Sequence, residues 1–500
     1  MSKKRQFIYN GAILTIVGFA MRGVALFLGA YISSAIGAEG MGLQGLIATV
    51  YSFAVTFATS GVSLSVTRLV ASSIGEGKNA DSILRGAFVY AVCFGTLATV
   101  ILFAFSDMIG VIVLNDARIA AALRILSLSL LPIALSGVIS GYFVAVRRVA
   151  LNATVQIFSQ VVRVALTVLL LGRVSAADTA SAVCALAIGA TVTEAACFLI
   201  ALLEYFLDRA IHRVGHERGV AVGEISGMAL PVALSAYVRS FLLSVEHSLI
   251  PRRLMERGNS REDALASYGY LGGMALPIIL FPMTPLSSFS GLLVPEFAES
   301  EGANDRGRVE KMAALTVESA LAYAVVVGAF IFYFSEKLGY VIYGTYEAGR
   351  YIGLLAPVIP LMYLDHVTDS MLKGIGEQVY SMWVNIADSL LSVFLVWALI
   401  PLFDISGYVI VIIIMESFNF ALSYLRLKKR IRFSINIYRA FFAPLFAALV
   451  GVILAGGAFV FVGRSVTPFW LLMQILFGVC AFFAVYTAPD LLRAMKEKKL

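Results

Sequence analysis

The chain has 500 residues, 60% of them hydrophobic and only 14% charged, with a formal net charge of +7 and a mean hydropathy of +0.89. Soluble chains carry about 25% charged residues, so a soluble enzyme, a nucleic-acid binder and a secreted disulfide scaffold are excluded. At about 20 apolar residues per span, the sequence holds material for roughly 12 to 15 membrane helices. The fold class is an all-α, polytopic integral membrane protein.

Hydrophobic runs cut at charged or Gly/Pro-rich breaks predict fourteen spans, over 8–35, 44–70, 84–106, 120–145, 153–172, 179–206, 226–250, 269–295, 311–334, 347–372, 378–400, 406–426, 439–463 and 467–487. The basic start, Met1 to Arg5, reads as the flank of a retained first helix, and Arg22 falls near the middle of that helix. The fifth span carries Gln156, Gln160 and Arg163 at i, i+4 and i+7, one polar stripe, and the sixth carries Glu194. Arg239, Glu246 and His247 lie in the seventh. Pro277, Pro282, Pro285 and Pro295 require the eighth to kink or break. Asp365, His366 and Asp369 make the tenth the least uniform span; Asn385, Asp388 and Ser389 follow in the eleventh, Glu416 and Asn419 in the twelfth. Cys93, Cys184, Cys197 and Cys480 all sit in apolar runs without metal or redox spacing, and read as packed thiols.

With both termini inside, cytoplasmic segments hold 24 of the 38 Lys and Arg and external ones hold eight, as the positive-inside bias requires. Four of those eight, Arg252, Arg253, Arg257 and Arg261, share one external loop after the seventh span, against the trend. The chain also repeats. Ala71-Ser72-Ser73-Ile74-Gly75 after the second span has its counterpart in Ala298-Glu299-Ser300-Glu301-Gly302, Pro132 in Pro360, and Arg22 in Arg239. Two parallel six-helix copies follow, with two helices appended. The expected organisation is an N-terminal lobe over 1–207, a cytoplasmic linker over 208–224, a C-terminal lobe over 225–427, a basic loop over 428–438, and a final pair with a basic tail over 439–500. Transporters place a site between such repeats and alternate access by rocking them.

A charge at mid-bilayer costs about 2.5–3.5 kcal/mol on insertion scales, so each one needs an interior partner or a wet cavity. Arg22 and Arg239 suit a phosphate or carboxylate, because a guanidinium stays charged and donates several bonds. Gln156, Gln160 and Arg163 either extend that wall or, with Arg163 paired to Glu194, hold one lobe together. Glu246, Asn385, Asp388 and Glu416 converge from three helices as candidates to bind Na⁺ or to carry H⁺. Asp365, His366 and Asp369 read as a gate or as residues near cytoplasmic water. No resident cofactor is expected beyond that coupling ion, and no GxSxG, HExxH or P-loop pattern occurs.

Several motifs resemble one family. Arg22-Gly23-Val24 followed by Gly37-Ala38-Glu39-Gly40-Met41-Gly42-Leu43 is similar to the opening of polysaccharide flippases, with Val24-Ala25 where glycine is usual. Ser60-Gly61-Val62 through Ala71, Ser140-Gly141-Tyr142-Phe143 with Gln160-Val161-Val162-Arg163, and Leu293-Val294-Pro295 resemble later segments of the same proteins. The resemblance is to the multidrug/oligosaccharidyl-lipid/polysaccharide (MOP) exporter superfamily, in its fourteen-helix branch with stage V sporulation protein B and the lipid II flippases. It implies a V-shaped, MATE-like pair of six-helix lobes and transfer of an undecaprenyl-pyrophosphate saccharide to the outer leaflet. It also implies head-group binding by cavity arginines, onto which Arg22 maps, and a Na⁺ site onto which Glu246, Asn385 and Asp388 map more loosely. Leu28, Leu271 and Gly272 stand where lipid II flippases carry arginine, which turns the resemblance toward the sporulation and polysaccharide branch.

The leading function is therefore a flippase for a lipid-linked oligosaccharide or cell-wall precursor in the bacterial cytoplasmic membrane, not an enzyme. Its expected partners are that substrate and membrane lipids, with no nucleic acid, and the expected state is a monomer. The alternatives are a cation-coupled multidrug exporter of the same superfamily and a non-transporting envelope-assembly scaffold. Longest loops of roughly 20 residues leave no room for the extramembrane catalytic domain of a glycosyltransferase.

Overall fold

The computed structural model describes residues 3–75, 81–146, 148–174, 178–211, 222–302, 305–458 and 467–497. Most of the linker expected at 208–224 lies outside them. The described residues form helices joined by short turns, with no strand among them. In chain order these are α1 (Lys3–Thr59), α2 (Val62–Gly75), α3 (Asp81–Asp107), α4 (Ala117–Ser127), α5 (Leu130–Ala145), α6 (Val149–Leu171), α7 (Thr179–Ile211), α8 (Val222–Glu256) and α9 (Arg261–Tyr268). They continue as α10 (Leu276–Leu280), α11 (Thr284–Gly302), α12 (Arg306–Tyr343), α13 (Tyr346–Leu355), α14 (Ile359–Gly374), α15 (Gln378–Phe403), α16 (Ile405–Arg430), α17 (Ala443–Ala458) and α18 (Pro468–Glu497). In hydrocarbon every backbone N–H and C=O must be satisfied within the segment, which leaves the helix as the available form for apolar runs of this length.

Eleven described helices or unbroken helix series are long and apolar enough to span, or twelve when α4 and α5, bent by 43°, count as one. The fourteen expected spans differ from that number for two reasons. One 56-residue stretch, 18–73, covers the first two expected spans. At 1.5 Å per residue it is about 84 Å long, far beyond a single crossing of about 30 Å. It is divided at Gly37, whose φ of 67° lies in the left-handed region that glycine tolerates. The seventh expected span lies within α8, several of whose side chains fall outside the described set, and α8 is not counted.

The loop expected after the seventh span is mostly helix. α8 runs on to Glu256 and α9 starts at Arg261, so Arg252, Arg253 and Arg261 sit on helix ends and Arg257 in the turn between them. The repeat is visible in local geometry. Asn115 and Gly344, 229 residues apart, both take positive φ, and each precedes an N-cap, Asp116 for α4 and Thr345 for α13. The bends that follow, at Leu128–Ser129 and at Ala356–Val358, fall at the same offset.

Contacts divide the chain into two compact units: residues 1–34 with 267–500, and residues 35–266. The contiguous lobes expected from the sequence are thus crossed twice. The first part of α1 groups with the C-terminal helices, and α8 groups with the N-terminal ones.

In the 35–266 unit, α5 packs on α2 and α3, and α7 on α4, α5 and α6. Leu43, Val66, Ile83, Leu123, Leu130 and Phe143 are buried there. Close backbone approach fixes small residues at contacts, as is usual between membrane helices. A Cβ at Gly42 would stand 2.1 Å from the Leu265 carbonyl oxygen. Gly42→Ala is therefore expected to destabilise the protein by about 1–3 kcal/mol through overpacking. Gly227→Ala, where a Cβ meets nothing within 4 Å, should leave stability unchanged or slightly raised. Thermal unfolding of both variants in detergent checks this, and equal midpoints would contradict it.

In the other unit, Leu293, Phe297, Val317, Leu364 and Met371 build a core between α11, α12 and α14. Phe330, Phe334, Val452 and Phe482 build a second between α12, α17 and α18. One end of this unit, outside the spans, is tied by Glu377. Its carboxylate accepts from Arg426 at 2.8 Å and also from Arg430, while the Arg426 guanidinium lies 4.8 Å from the Tyr380 ring centroid. Hydrogen bonding from Arg426 holds the Glu377 carboxyl below its ordinary value. A depressed carboxyl stabilises the fold above its unfolded value of about 4.3, and that contribution is lost as pH falls through the lower folded value. Glu377→Gln should thus melt below wild type at pH 7, with the gap closing below about pH 4. A gap independent of pH would contradict the ion-pair origin.

Candidate functional site: membrane-level charges in each unit

In the unit containing 267–500, the site begins with a broken helix. Pro282 and Pro285 each lack an N–H and crowd the carbonyl one turn back, so the expected eighth span becomes a π-helical turn (269–275), α10, a 3₁₀ turn (281–283) and α11. The carbonyls released at the break are met by side chains. Tyr363 of α14 donates to Ile279 at 2.8 Å, Tyr323 of α12 to Pro282 at 2.6 Å, and Thr284 to Phe281 at 2.6 Å. Arg22 of α1 completes the set, with Nη1 donating to the Leu280 carbonyl at 2.9 Å. Phe19 packs edge-on against Phe281 at 5.4 Å, and Gly18 lets α1 approach Thr284.

Arg22 is nonetheless exposed, and the Leu280 bond uses one of its five N–H donors. Tyr363 and His366 both feel its charge. Asp369, one turn of α14 further on, is paired with Lys373 at 2.5 Å. The same unit gathers acids from three helices: Glu416 of α16 lies within electrostatic reach of Asp365 of α14 and Asp388 of α15. Asn385 spends its amide on the Ser381 carbonyl at 2.7 Å, and Ser389 donates to the Asn385 carbonyl at 2.9 Å, so both serve their own helix. Asp365, which the sequence suggests with His366 and Asp369 as a gate or as residues near cytoplasmic water, also lies within the field of Glu416. Periodicity within one helix carries no signal for that long-range meeting.

In the 35–266 unit, Arg239 is exposed on α8 and makes no ion pair among the described residues. Its register is set two residues earlier, where the Tyr237 hydroxyl bonds Ser60 Oγ at the α1–α2 break. Tyr90 donates to the Ser60 carbonyl at 3.2 Å. Tyrosines thus brace the break of the second span as they brace that of the eighth. Glu246 is 7% exposed and belongs to this unit, whereas Asn385, Asp388 and Glu416 belong to the other. Arg163 pairs with Glu194 at 3.0 Å, the pairing alternative, while Gln156 is exposed and Gln160 half-buried on the same helix. Arg148 and Tyr142 both bond the buried Asp208 near the end of α7, Tyr142 at 3.0 Å.

Coupling by a metal ion requires a donor set. Among the described residues no group of three His, Cys, Asp or Glu stands close enough to hold one. Asp365, Asp388 and Glu416 share a field, and each lies on a different helix.

A sequence profile of the polysaccharide biosynthesis protein family matches residues 7–299. The chain belongs to that family. The profile of the MatE family matches residues 258–398. Stage V sporulation protein B of Bacillus subtilis is 24% identical over 413 residues, covering 79% of this chain and 78% of that one. Sporulation protein YkvU of the same organism is 20% identical over 400 residues, covering 79% and 88%. Among solved structures, the lipid II flippase MurJ in an inward closed conformation superposes with a TM-score of 0.74 at 14% identity, over 96% of this chain and all of that one. An inward-facing multidrug MATE transporter gives 0.63 at 16% identity, over 84% and 98%. The polysaccharide biosynthesis protein described here is thus a multi-pass membrane protein with the fold of MurJ and of the MATE transporters.

Proposed function

We propose that this chain flips a lipid-linked saccharide, with an undecaprenyl-pyrophosphate anchor, across the bacterial cytoplasmic membrane by alternating access, both termini being cytoplasmic. The observation that carries the reading is Arg22: a mid-span arginine, exposed, held by one backbone carbonyl and otherwise available. An unpaired charge in the bilayer is strongly disfavoured unless it serves a ligand or a wet path. Arg239 supplies a second such group in the other unit. A guanidinium is the side chain best matched to phosphate oxygens, because its planar fork donates two parallel charge-assisted bonds. Cationic drugs would be repelled by both residues. Gln156 and Gln160 offer neutral donors and acceptors suited to sugar hydroxyls, whereas Arg163 is already engaged with Glu194.

The coupling ion is a proton in this reading. Carboxylates within reach of one another at membrane depth favour protonation of at least one of them. Asp365, Asp388 and Glu416 form that set, with Glu246 held in the other unit.

Complementation of flippase-depleted strains, one per pathway, tests the cargo. Rescue of one or more pathways that use undecaprenyl-pyrophosphate saccharides is expected. Drug resistance without rescue of any such pathway would favour the multidrug alternative.

A further inference from the structure

Two of the four arginines that run against the positive-inside trend, Arg252 and Arg261, line a cavity of about 270 Å³ in the 35–266 unit. It lies where α8 ends, α9 begins and a π-helical turn (108–113) leads into α4. Its polar wall is Arg252, Arg261, Asn115 and Ser248, two guanidiniums with neutral hydrogen-bonding groups, and no carboxylate lines it. Of the acids nearby, Glu262 is exposed and the others have partners. Asp116, its side chain 4% exposed, accepts from Arg118 and from Arg261, both at 2.9 Å, while Arg118 also reaches Glu39 at 2.8 Å. Glu256 pairs with Arg253, and Asp263 accepts from Ser260 at 2.6 Å.

Two arginines therefore share the single buried carboxylate Asp116, and the Arg261 Nε–H is buried with no acceptor among the described residues. Arg252 is exposed and makes no ion pair among them. The cavity is thus lined by Arg252, a guanidinium without an ion pair, beside Arg261, whose Nε–H lacks an acceptor among those residues, a pair of groups suited to an anion.

The rest of the lining, Leu46, Ile112, Leu114, Pro251, Met255 and Leu265, is apolar. Ile112, also lining the cavity, is 72% exposed, and it continues through Val111 and Met108 into an exposed apolar strip. The volume lies below the roughly 300–1,000 Å³ of sites that enclose drug-sized ligands, which suits a head group and excludes a whole saccharide. An anion held by the polar lining with hydrocarbon along the apolar lining is the chemistry of a lipid phosphate.

We propose that this cavity binds the phosphate of an anionic membrane phospholipid, with Arg252 and Arg261 as its ligands and the acyl chain lying along Met108, Val111 and Ile112. On the expected topology the site faces the outer leaflet. It is independent of Arg22 and Arg239 and does not rest on the transport reading.

The test uses the delipidated full chain in detergent, titrated with phosphatidylglycerol or with inorganic phosphate, and a photoreactive phosphatidylglycerol to locate the bound lipid. Cross-links are expected within 108–115 and on Met255. Arg252→Gln, a change at an exposed residue outside the Asp116 network, should weaken phosphatidylglycerol binding at least about tenfold and remove those cross-links. Inorganic phosphate should bind wild type at least about tenfold more weakly than the lipid, since it lacks the chain. Unchanged lipid binding and cross-linking in Arg252→Gln would overturn the site. Inorganic phosphate binding as tightly as phosphatidylglycerol would overturn the lipid assignment.

Discussion

Arg22→Ala abolishes transport while the protein still inserts and folds: this is the largest expected effect. The substitution removes the Leu280 hydrogen bond, worth about 1.5–3 kcal/mol for a charged donor. It also removes a mid-span charge whose insertion costs about 2.5–3.5 kcal/mol. The two terms are comparable and opposite, so expression and thermal stability should stay near wild type. The substrate has no such compensation. Losing two charge-assisted bonds to a phosphate, about 3 kcal/mol together, corresponds to at least about a hundredfold loss of flux. Arg22→Lys keeps the charge without the fork and should retain partial activity, reduced about tenfold. Arg239→Ala should be milder than Arg22→Ala, because Tyr237 keeps α8 in register and Arg22 remains. An Arg22→Ala protein that is unfolded or absent from the membrane would show that the Leu280 tether is structural first.

Glu416→Gln separates coupling from transport. The wild type should respond to a pH gradient and be indifferent to a Na⁺ gradient of equal size. The variant keeps the side-chain volume and removes the acid that lies within reach of both Asp365 and Asp388. Its flux should lose the response to the pH gradient and fall to the level driven by substrate alone. Asp388→Asn should act in the same direction, with expression near normal. Flux that follows a Na⁺ gradient and ignores pH would overturn proton coupling, and a Glu416→Gln protein still driven by a pH gradient would remove Glu416 from the path.

Some of this was legible from the residues alone. The Gly37–Leu43 motif stands out in the sequence, although of the demands behind it only the positive φ at Gly37 is local, the Glu39–Arg118 ion pair and the approach of Gly42 to Leu265 being long-range. The prolines of 277–285 forced a break, and the break is there. Fourteen apolar runs and their repeat were visible because helix length and hydropathy are local properties. What remained hidden is non-local. Hydropathy gives no partner for a helix, so the grouping of residues 1–34 with 267–500, and of α8 with the N-terminal helices, had no signal. The tyrosines that meet released carbonyls, Tyr323 and Tyr363, look like ordinary aromatic residues until the break they serve is seen. The external arginines looked like a fault in the topology; Arg253 and Arg261 are ion-paired, and Arg252 and Arg261 line a cavity.

The most direct test of the central claim is a flipping assay in proteoliposomes. It uses a labelled undecaprenyl-pyrophosphate saccharide as cargo and compares wild type with a folded Arg22→Ala, Arg239→Ala double variant. Wild type is expected to move the label between leaflets, and the double variant to match protein-free vesicles. Full transport by the double variant would contradict the assignment of these arginines to the anionic head group.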